Sequence, residues 1–211
     1  PDRARNLLVL ARWQNQWQDL CMKKLVSVTI ALCMTLFAAV VLAGGDAMTE
    51  FEKADVDGIT NFTVTRESNG FAGAVVGFGG ATEPSAMKSL KNRGFSTIVN
   101  LRLADEDGLD LDASRAAAEA EGLQYMHMPL HTDSPDSAMI ESMLDALSNT
   151  NNQPVYIHCG SATRAAALWM IGRVLKDGLD LDSASAEAEF IAQKPEAAIG
   201  FAAAYISSQR E

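Results

Sequence analysis

The chain has 211 residues with a formal net charge of -10, from 17 Lys and Arg against 27 Asp and Glu. That balance argues against a surface for nucleic acid or anionic membranes. Three cysteines in this length exclude a disulfide-dense scaffold.

Residues 1–21 carry no clear pattern and read as upstream sequence outside the mature protein. From Met22 the chain reads as a secretory leader: Lys23-Lys24, an apolar run Leu25–Leu42, then Val41-x-Ala43 as a small-residue cleavage site. The run is also about as long as the shortest spanning helix, which leaves an uncleaved anchor as the alternative. Cleavage after Ala43 implies a periplasmic or secreted product with no membrane contact. It also removes Cys21 and Cys33 and leaves Cys159 as a single free thiol in an oxidising compartment. The roughly 168 residues that remain suit one domain with a full core.

Residues 44–60 read as a polar, flexible lead-in to a catalytic domain over 61–211. Phe62–Thr65 and Gly73–Phe78 read as strands, followed by a helix opened by Glu83-Pro84 and closed by Gly94. Ser96–Leu101 is a buried strand, Asp112–Glu121 an Ala-rich helix, and Leu123–Met128 a strand stopped by Pro129. An amphipathic helix over Ser137–Leu147 precedes a short apolar strand, Val155-Tyr-Ile157. Helices near Ser183–Ala192 and Pro195–Ser207 complete the chain. Strands alternating with helices predict an α/β fold, a three-layer sandwich with a largely parallel central sheet.

The chemistry concentrates where the strand at Val155 ends. His158 and Cys159 are followed by Gly160, Ser161, Ala162, Thr163 and Arg164, and then by strong helix formers. Strand, small-residue loop and helix aim backbone N–H groups and a helix N-terminus at one anion. That setting favours the thiolate of Cys159, and Arg164 adds a bidentate fork for a tetrahedral oxyanion. Anion-binding residues are therefore expected over Gly160–Arg164; Arg102, at a neighbouring strand end, reads either as a surface salt-bridge residue or as a cation that steers the anion or pairs with an aspartate of the acid loop.

Two further patterns read as structure. Asp107-Gly-Leu-Asp-Leu-Asp112 recurs as Asp177-Gly-Leu-Asp-Leu-Asp182, each before a helix, where aspartates serve as N-caps. His127 and His131 straddle a strand end and lack a third ligand, so no metal is expected. No cofactor is implied.

His158-Cys159 before a small loop and Arg164 resembles the signature of the protein tyrosine phosphatase superfamily. The order from Leu123 to the His-Cys strand is similar to a dual-specificity phosphatase. Gly79-Gly-Ala-Thr-Glu-Pro-Ser85, Gly94-Phe95 and Ile98-Val-Asn-Leu-Arg102 resemble the beta-lactamase hydrolase-like, phosphatase-like domain family. The resemblance implies a tyrosine or dual-specificity phosphatase-like fold. It also implies Cys159 as nucleophile, His158 and Arg164 as its catalytic neighbours, and an acid from the loop after Met128. Asp133 is the first candidate for that acid; Asp136 is the second and also fits a helix cap.

Two departures separate this chain from the superfamily. Four residues lie between Cys159 and Arg164 where phosphatases carry five, which is the loop length of rhodaneses. Ala165 stands where phosphatases place Ser or Thr, and Ala162 replaces a glycine, so the loop calls for positive φ at a residue with a Cβ. Three readings follow: phosphomonoester hydrolysis through a cysteinyl-phosphate, sulfur transfer through a Cys159 persulfide, or non-catalytic binding of phosphate or sulfate. In each the partner is a small anion: a phosphate ester, a sulfane sulfur donor or the ion itself.

Overall fold

The computed structural model describes residues 49–66, 70–73 and 75–210. The leader segment and its cleavage site lie outside the described residues. Six strands form one sheet in the order β1-β2-β3-β6-β4-β5. They are β1 (Phe51–Lys53), β2 (Thr63–Thr65), β3 (Val76–Gly79), β4 (Thr97–Asn100), β5 (Gln124–His127) and β6 (Val155–His158). The helices are α1 (Met87–Asn92, entered by a 3-10 turn at Pro84–Ala86), α2 (Leu111–Ala120), α3 (Ser137–Ser148), α4 (Thr163–Leu175), α5 (Leu181–Ile191) and α6 (Pro195–Ser208).

Strands β3, β6, β4 and β5 run parallel, and β1 and β2 add an antiparallel edge. β3, β4 and β6 are buried along their whole length, as helix-covered strands must be, while β5 lies at the edge with Gln124 exposed. Period-two alternation splits them between two cores. Val99, Leu101, Val155 and Ile157 join Trp169, Met170 and the apolar residues of α3 to α6. Ile98, Tyr125 and Tyr156 join Met87, Leu90 and Ala118 of α1 and α2. Helices therefore flank the sheet on both faces, and the α/β sandwich with a largely parallel sheet is what the chain forms.

Residues 51–53 correct the expectation of a loose lead-in across residues 44–60, since they pair with Thr63–Thr65 as β1. Phe51 supplies the reason: its ring packs against Phe78, Trp169 and Phe190. Thr49 is fixed as well, its amide donating to Glu187 at 2.7 Å. The repeated acidic motifs do act as caps, with Asp110 accepting from the Ala113 amide and Asp180 from the Ser183 amide.

Gly79, at the carboxyl end of β3, shows how tightly the strands approach the site. A Cβ there would overlap the Tyr156 ring and hydroxyl. That hydroxyl is fixed by a 2.8 Å hydrogen bond to Thr82 Oγ1. Gly79→Ala is expected to lower stability by about 1–3 kcal/mol, the usual cost of overpacking a full core. Urea titration checks this; a variant as stable as the parent would mean the Tyr156 ring moves aside freely.

Candidate functional site

Parallel sheets bind ligands beyond the carboxyl ends of their strands, and β6 delivers Cys159 to that edge. The Cys159 amide donates to Gly79 O at 3.2 Å, continuing the β3–β6 ladder by one residue. The loop is then pinned from both sides. The Ala81 amide donates to Gly160 O at 3.0 Å, and the Gln193 amide to Ser161 O at 3.2 Å. Both of those bonds are accepted by loop carbonyls rather than donated by loop amides, the arrangement that a binding nest of amides requires. Cys159 itself is only 1% exposed, at the floor of the loop.

Ala162 turns the chain into α4 with φ 58° and ψ -1°, a left-handed conformation. The expectation of positive φ at a residue with a Cβ is met, at a cost on the order of 1 kcal/mol. The turn holds because the Ala162 carbonyl accepts the first helical bond, from the Ala166 amide at 2.9 Å. The Ser161 and Thr163 hydroxyls add a 2.9 Å bond across the bend.

Arg164, in the first turn of α4, reaches back over the loop. Its Nη1 donates to Leu101 O at 3.1 Å and pairs with Glu106 Oε1 at 2.6 Å. Burial alone would lower its pKa, but Glu106 and the nearby Cys159 side chain outweigh burial and raise it. The guanidinium is thus a permanent charge directed at the cysteine.

Glu106 is the residue that the sequence reading missed. Its Oε2 also accepts from Arg102 Nε at 3.0 Å, and its Oε1 from the Leu103 amide at 2.8 Å. Burial pushes its pKa upward, yet bonds from Arg164, Leu103 and Arg102 prevail and hold it at about 2. One carboxylate therefore clamps two arginines. The only signal in the chain was an acidic residue four positions after Arg102, inside an acidic run.

Arg102 is buried rather than steering from the surface, with 6% of the residue exposed. Its Nη2 donates to Asp107 O at 2.6 Å, and its amide donates to Asn100 Oδ1 at 2.9 Å. Asn100 is held in turn by donating to the Tyr125 hydroxyl at 2.8 Å. Arg102 thus reaches the anion loop through Glu106 rather than by direct contact. His127 Nε2 lies 2.8 Å from Arg102 O, which accounts for that histidine.

Asp133 lies exposed on the loop between β5 and α3, and no described hydrogen bond or ion pair involves its side chain. Asp136 caps α3, accepting from the Ala138 amide at 2.9 Å.

His158 is 2% exposed and stacks on Tyr156 with ring centroids 5.7 Å apart. Neither ring nitrogen has a hydrogen-bond partner of good geometry among the described residues. Burial pushes its pKa down from 6.5 to about 4, so it is neutral in the folded protein at pH 7. Because the folded-state value lies below the unfolded one, folding is unpenalised above pH 6.5. Stability then falls as the pH drops from about 6.5 to about 4, where the unfolded chain takes up a proton that the folded chain refuses. The loss approaches about 3 kcal/mol at 1.36 kcal/mol per unit. His158→Phe is expected to flatten that part of the stability–pH curve. Urea midpoints at pH 7, 5.5 and 4.5 check it, and an unchanged slope would assign the acid sensitivity to other groups.

Residues 78–176, a little under half of the chain, match the family model described as "Beta-lactamase hydrolase-like protein, phosphatase-like domain". The Beta-lactamase hydrolase-like protein of Xylella fastidiosa strain Temecula1 is 33% identical over 96 residues, 44% of this chain and 22% of that protein. The chain therefore spans about a fifth of the length of the curated relatives it matches. Among solved structures, the core catalytic domain of the PP-IP phosphatase SIW14 from S. cerevisiae has a TM-score of 0.55 at 17% identity, covering 74% of this chain and 96% of that one. P. aeruginosa TpbA in complex with pTyr has a TM-score of 0.52 at 21% identity, covering 73% and 87%. The six-stranded sheet and its flanking helices thus share the tyrosine phosphatase-like fold of those structures, and residues 78–176 are similar to the phosphatase-like domain of beta-lactamase hydrolase-like proteins.

Proposed function

We propose that the chain is a cysteine-dependent phosphatase acting on a phosphomonoester. The observation that carries this reading is the clamp of Arg164 by Glu106 and Leu101 O, which holds a bidentate fork over Cys159. The Cys159 thiolate attacks phosphorus in line, a P–S bond forms, and the bond to the ester oxygen breaks. Loop amides and Arg164 hold the equatorial oxygens, since catalysis of phosphoryl transfer consists mainly of positioning and electrostatics. The leaving alkoxide takes a proton, for which Asp133 is the proposed donor because Asp136 is committed to its cap. Water then attacks phosphorus, releasing phosphate and restoring the thiolate. Binding of pTyr by the TpbA neighbour supports a phosphate ester as substrate.

The short loop favours a second reading. Four residues between Cys159 and Arg164, turned by a left-handed Ala162, make a tighter ring of donors that suits a persulfide. In that chemistry Cys159 takes the outer sulfur of thiosulfate and releases sulfite, and cyanide removes the sulfur as thiocyanate. Incubating the protein separately with p-nitrophenyl phosphate and with thiosulfate plus cyanide distinguishes the two. Phosphate release supports the first reading; thiocyanate without phosphate release overturns it.

A further inference from the structure

We infer that the site selects a single phosphoryl group carried on a neutral or cationic molecule and discriminates against polyanions. This rests on the phosphatase reading. The basis is the charge of the loops that the four parallel strands bring to one edge. Glu83 follows β3, Asp105, Glu106 and Asp107 follow β4, and Asp133 and Asp136 follow β5. Those loops contain no lysine; their basic side chains are Arg102, Arg164 and the exposed imidazole of His131.

Both arginines are already engaged by Glu106, at 3.0 and 2.6 Å. The cradle can therefore accept one anion through Arg164 and the loop amides, but it has no further basic side chain for a second or third phosphate. Glu83, Asp105, Asp107 and Asp136 are exposed, and none is paired with a basic side chain among the described residues; Asp133, which carries the proton in the proposed mechanism, adds no charge to this rim. Outside those loops, Lys194 is exposed beside Gln193, whose amide donates to Ser161 O. A rim of one sign around a cleft attracts counter-charge and repels like charge. The carrier around the phosphoryl group thus meets a negative field, and basic groups flanking the ester gain from it.

The experiment compares two phosphotyrosine peptides that differ only in flanking residues, lysines in one and glutamates in the other. At low ionic strength kcat/KM is expected to be about tenfold higher for the lysine-flanked peptide. The ratio should shrink toward about twofold in 0.5 M NaCl, as exposed charges are screened. In the double variant Glu83→Lys, Asp105→Lys the ratio should collapse, while turnover of p-nitrophenyl phosphate stays within about twofold. Equal rates for the two peptides, or a ratio indifferent to salt and to the double variant, would overturn the inference and leave the phosphatase reading standing. Absence of turnover with every phosphate ester would overturn both.

Discussion

Replacing Cys159 with serine is expected to lower turnover of p-nitrophenyl phosphate by about four to six orders of magnitude, because a serine hydroxyl is scarcely ionised at neutral pH. The nucleophile has no substitute nearby: Cys159 is the free cysteine of the described residues, and His158 beside it is buried and stacked on Tyr156. The folded state should survive the change. The side chain keeps its size, and the loop remains held through Gly160 O, Ser161 O and the Ala162 carbonyl, none of which depends on sulfur. Retained folding with lost turnover is the expected pair of results, read by thermal melting and phosphate release. Turnover within tenfold of the parent would remove Cys159 from the chemistry and refute the proposed mechanism.

The second large effect concerns stability and lies behind the site. Glu187 has no exposed side-chain area, yet its carboxylate is fully engaged. It accepts from Thr49 N at 2.7 Å, Trp169 Nε1 at 2.7 Å, Arg173 Nε at 3.0 Å and Arg173 Nη2 at 3.1 Å. Glu187→Ala removes the carboxylate that holds the buried Arg173 guanidinium on two nitrogens, leaves Asp177 as one of its partners, and strands the indole N–H. Removing one partner of a buried ion pair costs about 3–5 kcal/mol. For a domain of this size that is a fall of roughly 10–15 °C in Tm. Calorimetry checks it, and a Tm within about two degrees of the parent would show that water or Asp177 replaces the carboxylate fully.

The sequence made the parallel core legible because strands buried on both faces are written as short apolar runs bounded by Gly, Pro and polar residues. Val155–Ile157 and Ile98–Leu101 have that form. Asp136, Asp110 and Asp180 were equally readable as caps, since a cap is a local interaction. What remained hidden depends on residues distant in sequence. Phe51-Glu-Lys53 offers one apolar residue in three, and only the packing of Phe51 on Trp169 makes it a strand. Glu106 sits in an acidic run and looks solvated until the fold brings Arg164 to it. Glu187 on α5 meets Trp169 and Arg173 on α4 only after those helices pack.

The helix that carries Arg164 has a consequence for how such loops change length. From Ala165 to Val174 every residue of α4 is buried, so the helix has no solvent face about which to turn. One residue inserted into the loop would ordinarily rotate a helix by about 100° and shift it by about 1.5 Å. Here that rotation would expel Trp169 and Arg173 from their contacts, so the core forbids it. An insertion must bulge within residues 160–163, leaving the start of α4 where it is. The packing of α4 thereby insulates the rest of the domain, and Cys-to-Arg loops of different lengths can be exchanged on the same scaffold without altering its phase.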